Sequence, residues 1–256
     1  MKSFRQFLLI IAGCVLLNQG CGSLHMENSK PRLSMFIGVD ISGSYKSTKY
    51  FDDSLDFLSY YIYSHLNGLG GLEVPNVLYV SSIGGAKANE PKTFYPIQSF
   101  EKKSVAEIRK KLTEIFPRHM SNPFTDYNAF FEQVAQTIKN KNLVLRPISV
   151  VMISDGIPDV KTEGATDFRS IHVAPLEKLA RNVTIRLLYT SAVTGRDWQT
   201  KVRRKRVKIW TQDAEVLRSW KDPDILIPDK QIDDQAYFFT WVKDNVDFGV
   251  RSRRID

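Results

Sequence analysis

Cysteine and histidine are scarce in this sequence. The two cysteines are Cys14 and Cys21, so the chain after position 21 has no cysteine with which to form a disulfide. Four histidines occur in 256 residues, and none lies at a metal-ligand spacing from another (His25, His65, His119 and His172). These absences exclude a fold held together by disulfides after residue 21. The sequence also contains no zinc-binding motif built from cysteine and histidine.

Long hydrophobic runs are also missing. The amino-terminal apolar stretch, Phe7–Leu17, has eleven residues and follows the basic residues Lys2 and Arg5. A helix needs about 20 apolar residues to span a bilayer core of about 30 Å, so this stretch is too short for a membrane span. Its length and its basic flank predict an export signal over residues 1–21.

Each cysteine ends a segment that resembles the lipobox of bacterial lipoproteins. The segment I-A-G-C at Cys14 matches closely but would leave a very short signal, whereas N-Q-G-C at Cys21 lacks the usual leucine. Cleavage at Cys14 would leave three apolar residues exposed, so we predict lipidation of Cys21, with Cys14 as the alternative. The protein would then be exported and lipid-anchored in the bacterial cell envelope, on the periplasmic or the surface face of the outer membrane. A plain secretory signal or an uncleaved anchor is the competing interpretation.

The remaining composition is that of an ordinary globular protein, with 43% hydrophobic and 25% charged residues. A chain of this length is enough for one good-sized α/β domain. The formal net charge is +8, and removing Lys2 and Arg5 with the signal would leave +6. This excess favours anionic partners only weakly. The sequence contains no internal repeat and no low-complexity tract.

Apolar patterns divide the rest of the chain into alternating strands and helices. Buried-strand patterns predict strands at Met35–Val39, Asn76–Ile83, Thr93–Gln98, Ile148–Ile153, Val183–Tyr189 and Val207–Thr211. Helical spacing predicts helices at Tyr45–Leu66, Ser104–Phe116, Tyr127–Ile138, Pro175–Ala180, Asp197–Lys205 and Asp233–Asp247. Strands that alternate with helices pair in parallel through right-handed crossovers. We therefore predict an α/β fold: a doubly wound, mostly parallel sheet with helices on both faces and one antiparallel edge strand.

The same pattern predicts the domain organisation. A signal peptide covers residues 1–21 and a polar tether covers residues 22–33. One α/β domain covers residues 34–221, and residues 222–256 form a C-terminal extension whose closing helix packs on that domain.

Three oxygen-bearing side chains follow the first predicted strand at intervals of two. Asp40, Ser42 and Ser44 lie in the run D-I-S-G-S, directly after Met35–Val39. A chain that leaves a strand and turns into a helix can direct all three toward the carboxyl end of the sheet, where open α/β folds place ligands. Oxygen ligands suit a hard divalent cation. Helix capping by the acid and the serines would explain this segment by itself.

The D-x-S-x-S run resembles the signature of von Willebrand factor A domains, and two later segments extend the likeness. Thr125-Asp126 opens a predicted helix after a loop, and the S-D-G run around Asp155 ends the strand Ile148–Ile153, as the later elements of that family do. The resemblance covers roughly residues 33–219. It departs at residues 122–124, where N-P-F replaces the glycine that often precedes the threonine.

The resemblance implies a metal-ion-dependent adhesion site. In that arrangement Ser42 and Ser44 would bind the cation directly, Thr125 would bind it in the ligand-bound state, and Asp40 and Asp155 would act mainly through water. Hydroxyl ligands leave a cation most of its charge, so it can attract a carboxylate of a partner. The expected cation is Mg²⁺, with Mn²⁺ as a close substitute. The implied function is protein binding for adhesion or scaffolding, not catalysis, with an unidentified envelope or surface protein as partner.

A metal-dependent phosphoester hydrolase is the alternative function. It would use Asp40 and Asp155, with Asp126 or Asp159 as a further carboxylate. Such sites generally need more direct carboxylate ligands and a base, whereas these segments offer hydroxyls. A degenerate domain with a structural role is the third interpretation.

A basic run spans the end of the last predicted helix of the domain and the start of its last predicted strand. Residues 201–208 hold six basic side chains in eight positions, among them Arg203, Arg204, Lys205 and Arg206. The run would suit an anionic surface such as lipid or lipopolysaccharide, although such runs are usually solvated helix faces. No aromatic residue is interleaved for stacking on bases, and exported proteins rarely meet nucleic acid, so no nucleic-acid partner is expected.

Overall fold

The chain folds around a central β-sheet. The structure, a computed structural model, describes residues 30–85, 87, 90–119, 123–159, 161–162 and 165–248. Its strands are β1 Leu33–Val39, β2 Pro75–Ser82, β3 Tyr95–Pro96, β4 Ile148–Ile153, β5 Lys161–Thr162, β6 Ala165–Thr166, β7 Val183–Thr190 and β8 Lys208–Asp213. Six of them form one sheet in the order β3-β2-β1-β4-β7-β8, and β5 and β6 form a separate antiparallel pair.

The main sheet is mostly parallel. Strand β1 pairs in parallel with both β2 and β4, β4 pairs with β7, and β7 pairs with β8. Only β3 runs antiparallel, at the edge beside β2. All seven residues of β1 are buried, which fits a central strand covered on both faces. The predicted fold class is confirmed.

Helices cover both faces of this sheet. They are α1 Gly43–Lys46, α2 Tyr50–Leu66, α3 Val105–Ile115, α4 Tyr127–Asn140, α5 Ala174–Glu177, α6 Ala192–Lys201, α7 Ala214–Arg218 and α8 Ala236–Asn245. One apolar core joins the sheet to α2, α3, α7 and α8, through Phe51, Ile62, Leu112, Leu217 and Phe238. The other core joins it to α4, α5 and α6, through Phe130, Val134, Ile138, Leu176 and Trp198. The sheet is therefore doubly wound.

Two predicted helix bounds are wrong for identifiable reasons. The helix predicted at Tyr45–Leu66 is broken before Tyr50, because the Thr48 hydroxyl donates to the Tyr45 carbonyl (2.7 Å) and accepts from the Tyr50 amide (3.2 Å). The helix predicted at Asp197–Lys205 is α6, which ends at Lys201; Val202, the next residue, is extended and buried. Arg203, Arg204, Lys205 and Arg206 therefore lie in the loop before β8, not on a helix face.

Other predicted elements are present but shorter. The edge strand expected at Thr93–Gln98 has only two residues, and α5 and α8 begin or end a few residues from Pro175–Ala180 and Asp233–Asp247. The short helix α7 and the β5-β6 pair were not predicted, because segments this short carry no periodicity. Among the described residues, no helix is both long and apolar enough to cross a membrane. The predicted signal peptide, Cys14 and Cys21 lie outside the described residues.

A buried polar network ties the segment after α8 to the sheet. Arg186 of β7 is 1% exposed, and its Nε donates to the Val246 carbonyl (2.8 Å) and lies 3.5 Å from Oδ1 of Asp247. Asp247 also accepts from the Tyr61 hydroxyl (2.9 Å) and lies 3.0 Å from His65 Nε2. These contacts fix the end of the described chain against α2 and β7.

The stability contributed by Asp247 should depend on pH. Burial alone would raise the pKa of Asp247, but the nearby His65 and Arg186 and the Tyr61 hydrogen bond outweigh it and lower that pKa. A lowered pKa in the folded state stabilises the fold when the group is ionised, and this contribution is lost as pH falls through it. The unfolding free energies of wild type and Asp247→Asn, measured in urea, should therefore differ near neutral pH and converge below about pH 4. A constant difference across that range would contradict this.

Candidate functional site

The predicted site residues lie at the carboxyl edge of the sheet. Asp40 follows β1 and Asp155 follows the neighbouring strand β4. The Asp40 amide donates to the Ile153 carbonyl (2.8 Å), which extends the β1-β4 pairing into the site. The ends of two adjacent parallel strands therefore place the two carboxylates side by side.

The D-I-S-G-S run makes a tight turn between β1 and α1. The Ser42 amide donates to Oδ1 of Asp40 (2.8 Å), and the Ser42 and Ser44 hydroxyls are 3.0 Å apart. Ser42 also caps α1, since its hydroxyl accepts from the Tyr45 amide (3.4 Å). The same turn therefore caps α1 and brings the three oxygen-bearing side chains together, so helix capping and a metal site do not exclude each other.

Two hydroxyl residues outside the predicted ligand set, Ser154 and Tyr127, form a hydrogen-bonded chain that ends at Asp40. The Ser154 hydroxyl donates to Oδ2 of Asp40 (2.5 Å), and it also pairs with the Tyr127 hydroxyl (2.7 Å) and accepts from the Gly156 amide (2.9 Å). Asp40 is fully buried. Its two carboxylate oxygens are therefore oriented by Ser42 on one side and Ser154 on the other.

Asp155 is more accessible than Asp40. Its Oδ1 accepts from the Ile157 amide (3.0 Å), its side chain hydrogen-bonds the Ser44 hydroxyl, and its carbonyl accepts from Thr190 Oγ1 of β7 (2.8 Å). The Ser44 contact connects the end of β4 to the D-I-S-G-S turn. Asp40, Ser42, Ser44 and Asp155 thus form one hydrogen-bonded cluster.

Thr125 is brought to the same edge by a loop bridge. Gly85, just past β2, and Phe124 exchange backbone hydrogen bonds of 3.0 and 3.3 Å. Thr125 is 4% exposed, and its amide donates to the Asp159 carboxylate. Asp126 caps α4, with Oδ1 accepting from the Ala129 amide (2.9 Å). The predicted opening of a helix by Thr125-Asp126 is confirmed.

Burial governs the electrostatics of the two carboxylates. Burial raises the pKa of Asp40 to about 6, against the opposing hydrogen bonds from Ser154 and Ser42. Burial likewise raises the pKa of Asp155, and the nearby Asp159 adds to the effect. Asp40 and the partly buried Asp155 lie beside each other, and neither forms an ion pair with a basic side chain in the part of the chain that the structure describes; a cation would stabilise such an environment.

The mostly parallel sheet with one antiparallel edge strand, and the three motif segments at its carboxyl edge, match what the resemblance to von Willebrand factor A domains implies. The chain has a von Willebrand factor A-like fold. In this fold the segment after β1, the loop before α4 and the segment after β4 meet at the carboxyl edge, as they do here.

Comparisons with known proteins find only distant structural similarity. No family model and no curated protein matches the sequence. Similar solved structures include proximal thread matrix protein 1 from the mussel byssus (TM-score 0.46, 11% identity, 73% of this chain and 46% of that one). Pilus adhesin SpaC from Lactobacillus rhamnosus GG has a TM-score of 0.47 and 11% identity, over 76% of this chain and 29% of that one.

A third similar structure is the manganese-loaded TRAP protein of Plasmodium vivax, with a TM-score of 0.45 and 16% identity. That match covers 75% of this chain and 73% of the other. The chain thus spans less than half the length of the mussel and Lactobacillus proteins. Because these TM-scores are below 0.5, the fold assignment depends on the strand order and the motif segments.

The donor set of the von Willebrand factor A-like site fits a divalent cation bound through hydroxyls. It consists of three hydroxyl side chains, Ser42, Ser44 and Thr125, and two carboxylates, Asp40 and Asp155. Within the described ranges, no group of three or more His, Cys, Asp or Glu side chains is arranged to hold a metal. Oxygen donors of this kind suit Mg²⁺ or Mn²⁺.

The remaining predicted contact residues lie elsewhere in the von Willebrand factor A-like domain. Arg203, Arg204, Lys205 and Arg206 precede β8 and therefore lie at the amino edge, opposite the cluster. Two exposed apolar residues adjoin the cluster instead, Phe124 (41% exposed) beside Thr125 and Ile157 (48%) shortly after Asp155. Sequence patterns did not single them out, because exposure of a loop residue depends on the folded chain.

Proposed function

We propose that this chain is a metal-dependent protein-binding module of the bacterial cell envelope. Ser42 and Ser44 would hold the cation through their hydroxyls, and Thr125 would join them when a partner is bound. Asp40 and Asp155 would accept hydrogen bonds from water ligands. When bound, the cation would supply the positive charge that attracts an acidic group of the partner. Mg²⁺ is the proposed cation, with Mn²⁺ as a substitute.

One observation carries this proposal: the hydroxyls of Ser42 and Ser44 lie 3.0 Å apart, beside the carboxylates of Asp40 and Asp155, which already accept hydrogen bonds from the protein. Neutral hydroxyl ligands would leave most of the positive charge of a cation uncompensated, whereas directly bound carboxylates would neutralise it. The residues therefore favour capture of an anionic group over activation of water.

The exposed apolar residues beside the cluster support a protein as the partner. Phe124 and Ile157 place apolar surface beside the cluster, and interfaces commonly surround a polar contact with apolar contact area. A carboxylate flanked by apolar side chains would satisfy both features. Tethering through Cys21 would hold this site at the envelope, and that part of the proposal comes from the sequence alone.

Replacing Asp155 with alanine should abolish metal-dependent retention of the partner. Immobilised protein is incubated with envelope extract in Mg²⁺, with and without a chelator, and Mn²⁺ affinity is measured by calorimetric titration. We expect Asp155→Ala to weaken Mn²⁺ binding by about tenfold or more, because residues that orient water ligands contribute about 10–100-fold to affinity. Asp224→Ala, a change to an exposed acid far along the sequence, is the matched control and should retain both properties.

Two results would contradict the proposal. Partner retention that ignores the chelator would rule out a bridging cation. Turnover of model phosphodiesters or phosphomonoesters by the metal-loaded protein, lost in Asp40→Ala, would favour the hydrolase alternative.

A further inference from the structure

The amino ends of the parallel strands form a continuous second edge, opposite the candidate metal site. Neighbouring loops are joined there by backbone bonds: Ser34 N donates to the Pro147 carbonyl (2.9 Å) and Leu145 N to the Leu179 carbonyl (2.9 Å). The loop before β8 is joined to α5, because the amides of Lys205 and Arg206 both donate to Oε1 of Glu177 (2.5 and 2.9 Å). The segments before β1, β4, β7 and β8 therefore make one surface.

Basic side chains are concentrated on this surface. We define the basic edge as the basic residues that precede these four strands, together with the first residue of β8: Arg32, Lys141, Arg146, Lys178, Arg181, Arg203, Arg204, Lys205, Arg206 and Lys208. All are exposed except Arg146 and Arg204, which are half-buried. Within the described ranges, no ion pair involves Arg181, Arg203 or Arg206. The acids of this region include Glu73, Asp247 and Glu177; Asp247 is paired with His65 and Arg186, and Glu177 is engaged with backbone amides.

Apolar side chains protrude at the same edge. Leu145 is 74% exposed and Val144 is 43% exposed, in the loop just before β4, and Val74 is 36% exposed just before β2. Leu145 has a left-handed backbone (φ 69°) and is fixed by its bond to Leu179. A fixed, exposed leucine beside Arg146 and Lys141 combines an apolar tip with positive charge. That combination is typical of protein surfaces that bind the headgroup region of a bilayer.

We propose that the basic edge lies against an anionic lipid surface, with Leu145 entering the headgroup region. The positive side chains would be attracted by anionic headgroups, and the aliphatic tips would gain from leaving water. The chain also enters β1 at this edge, where Pro31 and Arg32 are exposed. Aliphatic rather than aromatic protrusions favour lipid over single-stranded nucleic acid, which is bound by stacking.

This orientation would direct the candidate metal site away from the membrane. Parallel strands of six to eight residues rise about 3.3 Å per residue, so the two edges are separated by about 20 Å. The inference is independent of the proposed metal-bridged function, because no residue of the basic edge belongs to that site.

Vesicle binding of the full chain tests the inference. Cys14 and Cys21 are replaced by serine so that no lipid is attached, and a chelator is present. Co-sedimentation with phosphatidylglycerol-containing vesicles is compared with co-sedimentation with phosphatidylcholine vesicles, which measures the contribution of headgroup charge alone. We expect preference for the anionic vesicles, decreasing as salt is raised.

Two pairs of variants locate the contact. Replacing Arg203, Arg204, Lys205 and Arg206 with glutamine should lower the preference for anionic over neutral vesicles at least about tenfold. Each basic residue near such a surface contributes about fivefold to the binding affinity. The control replaces Lys102, Lys103, Lys110 and Lys111, which carry the same charge near α3, and should lower it far less. Leu145→Ser should weaken binding, whereas Val193→Ser, equally exposed at the opposite edge, should not.

Several outcomes would overturn the inference. These are equal binding to both vesicle types, equal losses in the basic-edge and α3 quadruple variants, and equal effects of Leu145→Ser and Val193→Ser. Tight binding of a double-stranded oligonucleotide that abolishes vesicle binding and is unaffected by Leu145→Ser would instead identify a nucleic-acid surface.

Discussion

Replacing Asp247 with alanine is expected to lower the free energy of unfolding by about 3–5 kcal/mol. Arg186 is 1% exposed in the middle of β7, and Asp247 is the carboxylate nearest its Nε, at 3.5 Å. Removing that carboxylate leaves a buried guanidinium without its countercharge, and it also removes the acceptor of the Tyr61 hydroxyl. Urea unfolding near neutral pH measures the change.

A double variant separates the contribution of the ion pair to stability from that of side-chain packing. Arg186→Met combined with Asp247→Leu removes both charges, and well-packed apolar replacements of a buried pair are commonly neutral or stabilising. The double variant should therefore be more stable than Asp247→Ala. If Asp247→Ala costs less than about 1 kcal/mol, the network does not hold the segment after α8 to the sheet.

Replacing Gly84 with alanine is expected to disrupt the threonine loop. A Cβ at Gly84 would lie 2.0 Å from the Phe124 carbonyl oxygen and 3.1 Å from its carbonyl carbon, so the backbone that carries Thr125 must move. Overpacking of this kind typically costs about 1–3 kcal/mol. Because Thr125 would no longer be positioned, chelator-sensitive retention of the envelope partner should also fall by tenfold or more.

Gly43→Ala is the matched control for Gly84→Ala. Gly43 lies between Ser42 and Ser44, yet a Cβ there would meet no atom within 4 Å. Alanine is also the better helix former at the start of α1. Gly43→Ala should therefore keep stability and retention. Wild-type retention by Gly84→Ala, with its stability lowered, would exclude Thr125 from the binding site.

The parts of the site that were predictable from sequence are those carried by one short segment. Asp40, Ser42 and Ser44 fall within five residues, so their convergence requires only one turn. The adjacency of Asp155 required the pairing of β1 with β4, whereas the alternating pattern predicted parallel strands without their order. The relay from Tyr127 through Ser154 to Asp40 could not be predicted, because it depends on side-chain distances between three elements.

The fold was predictable where apolar periodicity was strong, as in β1, β4 and α4. The prediction was wrong at residues 202–205, where the helix predicted at Asp197–Lys205 continues past the observed end of α6 at Lys201. There the buried Val202 and Val207 bracket the loop and fix it by tertiary packing. The break before Tyr50 likewise depends on a local side-chain hydrogen bond that competes with the helix.

The short edge strand has a consequence for crowding. Strand β3 consists of Tyr95 and Pro96 only, and proline has no amide hydrogen to offer a further strand. The β3 margin of the sheet is therefore a poor template for strand addition, so molecules gathered at high density would resist polymerisation through that edge.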